Sequence, residues 1–450
     1  MNVDTSIFKA YDIRATFPDQ INADIAYRIG QGYAEYVKPQ KEVLVGHDVR
    51  IHSEELKLAI ISGLTDAGVN VVDAGLLSTD MYYFGVGFLD LGGGLQSTAS
   101  HNPPEWHGVK MVREKVIPLT GEMGIYQIRD FVAGDKKLIN QNKGSVRKIN
   151  ILEDYCRFVL KWIDPAKIKP MKVVYNPNFG YAGKVFEHIV EMGKLPLTLI
   201  PLNAEPDGTF PKGRPDPFVP ENRVEFLALI KSSGADLGVT WDADADRAFF
   251  AADGGEFVET YFANTLIIKS LLKKHPGEKI IYDPRYTWAY IETIEQNGGI
   301  AIPIRVGHSY IKQAMRENNA AFASESSGHT YYRDYWYADC GMIPVLQMLE
   351  YLSEENTKLS EAIKPIMSKY FVSGEINQKV ADPKALVEKI ASQYADAKQS
   401  RIDGISIEYP EYRFNVRTSN TEPLLRLCLE ARSKELMEQK RDEVLALIRS

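Results

Sequence analysis

The chain is poor in the features that would tie it to an oxidising compartment, a bilayer or a nucleic acid. Cysteine is scarce: Cys156, Cys340 and Cys428 are odd in number, far apart and without CxxC spacing, which excludes a disulfide framework and a zinc site and suits a reducing cytoplasm. Long apolar runs are missing as well. The best of them, residues 261–272, falls short of the ~20 residues that span a bilayer and contains Lys269. The N-terminal stretch holds Asp4, Lys9, Asp12 and Arg14 and lacks the apolar core of a signal peptide. Positive charge is not in excess either; a formal net charge of −7 and a pI near 5.8 give no field that would draw in nucleic acid. The expectation is a cytoplasmic protein without nucleic acid or membrane among its partners, in which an anionic ligand must meet a local basic site.

What is present is the composition of an ordinary folded protein, 44% hydrophobic and 25% charged. Its 450 residues suffice for two to four domains. A short apolar run, a polar turn, a helical stretch and a second apolar run recur three times: residues 43–46, 53–67 and 69–72; then 171–175, 182–192 and 197–200; then 279–282, 288–296 and 300–304. Three copies imply three similar α/β domains. The polar stretch 136–150, rich in Lys and Asn, and the Gly254-Gly255 turn read as linkers. After residues 359–363, a helical segment that Pro365 should end or kink, the pattern changes to strands and two further helices. That change marks a fourth, different domain of roughly 80 residues. The fold class is α/β, with three related α/β domains followed by a smaller α+β C-terminal domain, divided as 1–148, 149–253, 254–368 and 369–450.

Four short segments could carry chemistry. In residues 98–103 (TASHNP) small neighbours leave the Ser100 hydroxyl uncrowded and Pro103 and Pro104 end any strand, so an exposed loop with an available nucleophile is expected. Read alone, the segment is better explained as a turn in which Ser100 and Asn102 bond their own backbone. In residues 237–247 an apolar strand runs into Asp242, Asp244 and Asp246. A spacing of two in extended chain directs all three carboxylates to one side, where they repel unless a hard divalent cation, Mg²⁺ or Ca²⁺, binds them. An EF-hand does not fit, because Arg247 stands where that loop requires Gly. A solvated acidic turn is the plainer alternative; the position at the end of a buried-type strand favours the metal.

In residues 323–329 (ASESSGH), with Gly307-His308-Ser309 upstream, hydroxyls, a carboxylate and imidazoles suit a polyhydroxylated ligand. A capped, solvent-exposed loop explains them equally well. In residues 416–423 (VRTSNTEP), Arg417 offers forked donors, and hydroxyls with loop amides can complete a cradle for a phosphate dianion. The alternative is a polar hairpin turn between strands 412–416 and 424–429. Together the four are the components of phosphoryl transfer on a sugar, one in each expected domain.

These segments, with 8–14 (FKAYDIR) and 108–110 (GVK), carry a family likeness over essentially the full length: the chain resembles the α-D-phosphohexomutases of the phosphomannomutase/phosphoglucomutase group. The resemblance implies three related α/β domains and a smaller α+β domain, in agreement with the repeats. It implies reversible phosphoryl transfer between the 1 and 6 positions of a hexose phosphate, mannose and/or glucose, through a phosphoserine and a hexose 1,6-bisphosphate. By the same resemblance Ser100 carries the phosphate, and one Mg²⁺ per chain is held by it with Asp242, Asp244 and Asp246. Arg14, Lys110 and Arg247 would surround the transferring group, with His101 beside the carrier serine. Tyr11, Arg285, Glu325, Ser327 and His329 would bind the sugar phosphate, while Arg417, Ser419, Asn420 and Thr421 would hold the phosphate that is not reacting. The attacking hydroxyl must lose a proton, and Lys110, His308 and His329 are the candidate bases.

The chain departs from the family pattern at Ala243 and Ala245, where glycines are usual; alanine tolerates positive φ poorly, so a different backbone is expected in the acidic loop. Ala15 replaces a usual glycine and Ser326 a frequent methionine. Residues 75–83 (GLLSTDMYY) are similar to phosphomannomutase-type members and tilt the substrate toward mannose phosphate. The competing readings are a phosphoglucosamine mutase, a metal-dependent sugar phosphatase in which the acidic loop activates water, and a non-catalytic hexose-phosphate-binding protein. The expected assembly is a monomer or small homo-oligomer.

Overall fold

A computed structural model describes residues 3–418 and 424–449. The chain forms two compact units, one of Met1–Phe257 with His329–Asn356 and the other of Val258–Gly328 with Thr357–Ser450.

The three sequence repeats become three copies of one topology. In the first, the strand Val43–His47 lies parallel between Val71–Leu76 and Gly93–Ser97. Strands that run parallel need a crossover rather than a tight turn, and the helices Ser53–Asp66 and Thr79–Phe88 supply it. In the second, Met171–Asn176 lies parallel between Leu197–Pro201 and Leu237–Trp241, with helices Ala182–Gly193 and Val224–Ser233 as crossovers. Both of these copies belong to the first unit. In the second unit, Lys279–Tyr282 lies parallel between Ile300–Pro303 and Phe322–Ser324, crossed over by Trp288–Gln296 and His308–Asn318. Each central strand is a short apolar run with most residues buried, as expected of a strand covered on both faces.

In the first two copies the last of these strands folds back into an antiparallel neighbour, Gly93–Ser97 into Trp106–Arg113 and Leu237–Trp241 into Ala248–Ala251. The strand Ile13–Thr16 pairs antiparallel with Trp106–Arg113 and sets Arg14 opposite Gly108. The first unit also contains the antiparallel pair Thr330–Tyr332 and Ala338–Asp339 and the helix Met342–Glu355.

The C-terminal part of the second unit has a different design. Its sheet is antiparallel through Lys398–Ser400, Ile405–Glu408, Tyr412–Thr418 and Leu424–Ala431, and Phe371–Val372 and Ile376–Lys379 both pair with the last of these. The helices Pro383–Gln393 and Lys434–Arg449 contribute Ile390 and Val444 to a core with Phe414 and Leu427.

Two local expectations are corrected. The stretch 136–150 is not only a linker: Val146–Lys148 is a strand, parallel to residues 71–73, whose exposed side chains suit a sheet edge. Nor does Pro365 end its helix, which runs Leu359–Met367, with Ser368 N donating to Lys364 O at 3.0 Å. Proline lacks only its own N–H, and the amide of Ser368 beyond it still completes an i−4 bond. The three cysteines are buried and unbridged. Among the described residues no helix is long and apolar enough to cross a membrane.

Candidate active site

Three of the four segments singled out from the sequence occupy one topological position. Thr98 to Pro103 follow Gly93–Ser97, Asp242 to Arg247 follow Leu237–Trp241, and Glu325 to His329 follow Phe322–Ser324. Each lies at the carboxyl end of the equivalent strand, where open α/β sheets bind their ligands.

The loop bearing Ser100 is held from below by Arg50. Arg50 is 2% exposed, and its guanidinium donates to four backbone oxygens, those of Ser100 at 2.7 Å, Asn102 at 2.7 Å, Pro103 at 2.8 Å and Trp106 at 2.9 Å. Asp48, 3.3 Å from Arg50 Nε, balances its charge, and the Phe210 ring lies 4.9 Å away. Ser100 takes φ +49°, an uncommon conformation for a residue other than glycine. The expected exposure of this loop is not observed. Ser100 is 3% exposed, because Arg50 draws the loop inward and Oγ turns to the acidic loop, donating to Asp242 Oδ2 at 3.2 Å. Beside it, His101 Nδ1 lies 2.8 Å from Asp216 Oδ2 and 2.6 Å from Arg214 Nη2. Burial and the Arg247 guanidinium hold this imidazole well below its ordinary pKa, against the pull of Asp216.

Asp242, Asp244 and Asp246 are all buried, and one oxygen of each lies within 4.8 Å of the others. Two cations answer them. Arg247 grips Asp242 through Nε at 2.8 Å and through Nη2. Lys110, opposite Gln96 in the neighbouring strand, bridges Asp244 Oδ2 at 2.7 Å and Asp246 Oδ2. Burial opposes the charge of Lys110, yet Asp244 and Asp246 outweigh it and hold the ammonium protonated. Thr79 also binds Asp244, through Oγ1 at 2.7 Å and through its backbone N–H to the carbonyl at 2.7 Å. Arg14 donates to Asp12 at 2.8 Å and to Asn102 Oδ1 at 3.4 Å, which places it at the serine loop. His329 pairs with Arg247 through a backbone bridge and sets Nε2 3.5 Å from Asp246 Oδ1. Tyr11 occupies the bend before Ile13–Thr16. Among the described residues, Asp244 Oδ1 is buried without a hydrogen-bond partner. Three clustered carboxylates with an unused oxygen are a donor set that fits a hard divalent cation.

The backbone of this acidic loop answers the expectation for its alanines. Ala243 needs no positive φ, whereas Ala245 takes φ +59° and closes a turn through its N–H to Asp242 O at 3.1 Å. The glycine-type geometry is retained with a methyl group in it. Glycine is needed instead in the walls. A Cβ at Gly180 would lie 2.3 Å from Ala243 O, and one at Gly341 2.5 Å from Ala245 O.

The second unit gathers another set of the expected residues. Arg285 Nη2 binds Asp283 at 2.8 Å and lies 3.7 Å from Glu325 Oε1. Glu325 is buried, contrary to an exposed-loop reading, and accepts from Gly307 N at 3.3 Å. His308 opens the helix His308–Asn318, Ser327 sits in the turn before Gly328, and Arg417 lies near the end of Tyr412–Thr418. Ser419, Asn420 and Thr421 lie outside the described residues.

Sequence reasoning missed Arg50, Asp216 and Thr79. Arg50 was within reach: it follows Asp48 at the carboxyl end of the first central strand, as Asn178 follows Asn176 and Arg285 follows Asp283 in the other two copies. No local pattern marks Asp216, and the family-like segment 75–83 that contains Thr79 gives no sign of its bond to Asp244.

Comparison with known proteins yields four family matches in chain order. They are described as phosphoglucomutase/phosphomannomutase, alpha/beta/alpha domain I over residues 5–137, domain II over 153–255 and domain III over 262–370, and as the C-terminal domain over 375–447. A phosphomannomutase of Escherichia coli is 41% identical over 451 residues, covering 98% of this chain and 99% of that protein. Phosphohexose mutases of Xanthomonas campestris are 40% identical over 445 residues, covering 98% and 99%. The crystal structure of a phosphoglucomutase/phosphomannomutase family protein from Burkholderia thailandensis matches with a TM-score of 0.90 at 29% identity, covering 99% of this chain and 97% of that one.

Proposed function

The chain belongs to the phosphoglucomutase/phosphomannomutase family and is a phosphohexomutase, and from that premise we propose that Ser100 carries the phosphoryl group it moves between the 1 and 6 positions of a hexose phosphate, with mannose phosphate preferred to glucose phosphate. One observation carries this reading: Ser100 Oγ lies 3.2 Å from Asp242 inside a buried cluster of three carboxylates, already matched by a lysine and an arginine.

From phosphorylated Ser100, a sugar hydroxyl attacks phosphorus, the P–Oγ bond breaks and the hydroxyl proton passes to a base. The resulting bisphosphate presents its other phosphate to Ser100, and the reverse steps restore the phosphoserine and release the isomer. Such transfer depends mainly on positioning and on stabilising charge at the phosphoryl oxygens. In this reading Arg14, Lys110 and Arg247 supply fixed cations around the group, while His101 supports the serine loop. Of the candidate bases, Lys110 is held as the ammonium by Asp244 and Asp246 and serves as a cation, which leaves His308 and His329 to take the proton. Asp242, Asp244 and Asp246 with the phosphoserine would hold Mg²⁺, which when bound neutralises charge on phosphoryl oxygens. Tyr11, Arg285, Glu325, Ser327 and His329 would take the sugar phosphate, and Arg417 with Ser419, Asn420 and Thr421 its distal phosphate.

The same reading assigns the four domains to 1–148, 149–253, 254–368 and 369–450. It assigns a hexose 1,6-bisphosphate as activator, a cytoplasmic location suited to three unbridged thiols, and a monomeric or small homo-oligomeric state.

The test is a coupled assay on mannose, glucose and glucosamine 1-phosphates with a catalytic amount of the corresponding 1,6-bisphosphate, joined to intact-mass measurement. Conversion to the 6-phosphate should be fastest with mannose, and a phosphoryl adduct should vanish with activity in Ser100→Ala. A fully active Ser100→Ala enzyme would refute the role of Ser100, and free phosphate as the main product would point to a phosphatase.

A further inference from the structure

Three guanidinium groups of the second unit converge on one carboxylate. Glu375 lies between Phe371–Val372 and Ile376–Lys379, directly after Gly374, and its side chain is 10% exposed. Its Oε2 accepts from Arg417 Nη2 at 2.7 Å and lies 3.6 Å from Arg285 Nη1; its Oε1 accepts from Arg426 Nη1 at 3.2 Å. Arg417 and Arg426 are register partners across adjacent antiparallel strands. Like charges placed opposite one another destabilise a sheet, so the pair is tolerable only with an anion beside it. Glu375 is that anion in the ligand-free chain. Burial would favour its neutral form, but the three arginines outweigh burial and keep it ionised.

One carboxylate nevertheless leaves this cluster short of acceptors. Each guanidinium brings five N–H donors in a fixed fork; Asp283 and Glu325 lie beside Arg285, and Asp403 adds its charge near Arg417 and Arg285. Among the described residues, Arg417 Nε and Arg426 Nε are buried without a hydrogen-bond partner, and the Arg417 residue is 8% exposed. Buried donors of this kind are costly unless an acceptor comes to them. A phosphate dianion brings a second negative charge and a third terminal oxygen, and it pairs with arginine forks bidentately.

We propose that Glu375 is a displaceable internal counter-ion, holding the position at which Arg285, Arg417 and Arg426 receive a phosphate group. This inference rests on the reading of Arg417 as a phosphate ligand. An incoming phosphate takes the donors from Glu375, and the carboxylate returns when the phosphate leaves. The returning anion favours release, as a ligand that must let go and rebind by its other end requires.

The test compares the full-length wild type with Glu375→Gln, Arg426→Gln and the double variant, using inorganic phosphate as the probe. Removing the competing charge should tighten phosphate, measured as an inhibition constant in the mutase assay and by calorimetry, by about tenfold, within the usual range of coupling between sites. KM for the sugar phosphate should fall, and kcat should fall with it because release slows. Arg426→Gln should weaken phosphate, and the double variant should lose the gain. Unchanged or weaker phosphate binding in Glu375→Gln overturns the proposal, since it would mean that Glu375 aligns the arginines rather than competing for them. If Glu375→Gln does not fold, Glu375→Asp, which keeps the charge and shortens its reach, should still tighten phosphate, and no tightening there is equally fatal. A chain without mutase activity would refute the parent reading instead, and calorimetry with inorganic phosphate would still decide the role of Glu375.

Discussion

At Ala245 the acidic loop holds a left-handed residue, φ +59°, a conformation that costs an L-residue roughly 1–2 kcal/mol. Glycine would remove that strain, offset in part by the greater freedom of the unfolded chain. Ala245→Gly should therefore stabilise the protein by about 0.5–1 kcal/mol in urea unfolding, with mutase activity unchanged. Asp80 makes a second case in which one residue carries a measurable consequence. It is 1% exposed and accepts from Met81 N at 2.9 Å, from Tyr155 OH at 2.6 Å and from Ser78 Oγ, but burial prevails over these donors and pushes its carboxyl up to about 6. The folded chain thus binds a proton more tightly than the unfolded chain does. The stability contributed by this group is complete below about pH 4 and is lost as pH rises through about 6. Relative to Asp80→Asn, the wild type should lose up to about 3 kcal/mol between pH 4 and pH 7, the equivalent of some two pKa units. Parallel urea titrations of the two proteins should show that divergence; curves that keep a constant separation would contradict it.

Loops at the carboxyl ends of strands depend on supports distant in sequence. The Ser100 loop is fixed by Arg50, a side chain 50 positions away, through four backbone carbonyls. Lysine keeps the charge but lacks the fork, and it leaves several buried carbonyls without donors. Arg50→Lys should lower stability by about 3 kcal/mol and, by displacing Ser100, lower kcat by about a hundredfold with a smaller change in KM. Urea midpoints and steady-state kinetics read both effects. Element order was open to sequence reading because each repeat switches from an apolar strand to a helix of fixed polarity, and parallel neighbours follow from that order. The acidic loop was open to it because three aspartates at alternate positions are a local signal. Arg50 bonding to the loop at 100–106 is not local, and neither is the Asp216 contact with His101 across 115 positions. The burial of Ser100 was misread for the same reason: small residues around a serine describe its neighbours along the chain, not what folds over it.

On the scale of the molecule, the buried carboxylate cluster couples cation binding to folding. An ion that binds the folded chain alone adds about 2.7 kcal/mol at a hundredfold excess over its dissociation constant. Thermal melts should rise by a few degrees with Mg²⁺ in the wild type and not in Asp242→Asn/Asp246→Asn, where two of the three charges are gone. An identical rise in the variant would place the ion elsewhere. The way the chain is divided also shaped what could be read. The repeats give three similar copies, but they do not show that residues 329–356 return to the first unit after the third copy has begun in the second. That return delivers His329 to Arg247, a pairing that follows from the course of the whole chain and not from any motif.

The three native thiols offer an unplanned convenience. Cys156, Cys340 and Cys428 are all buried, and burial pushes the first and the last up to about 12, so at neutral pH almost none of either is present as the reactive thiolate. The wild-type sequence is in effect its own silent background for maleimide chemistry. A single cysteine placed on an exposed position of either unit should take a fluorophore or a spin label alone, with no need to replace the native residues first.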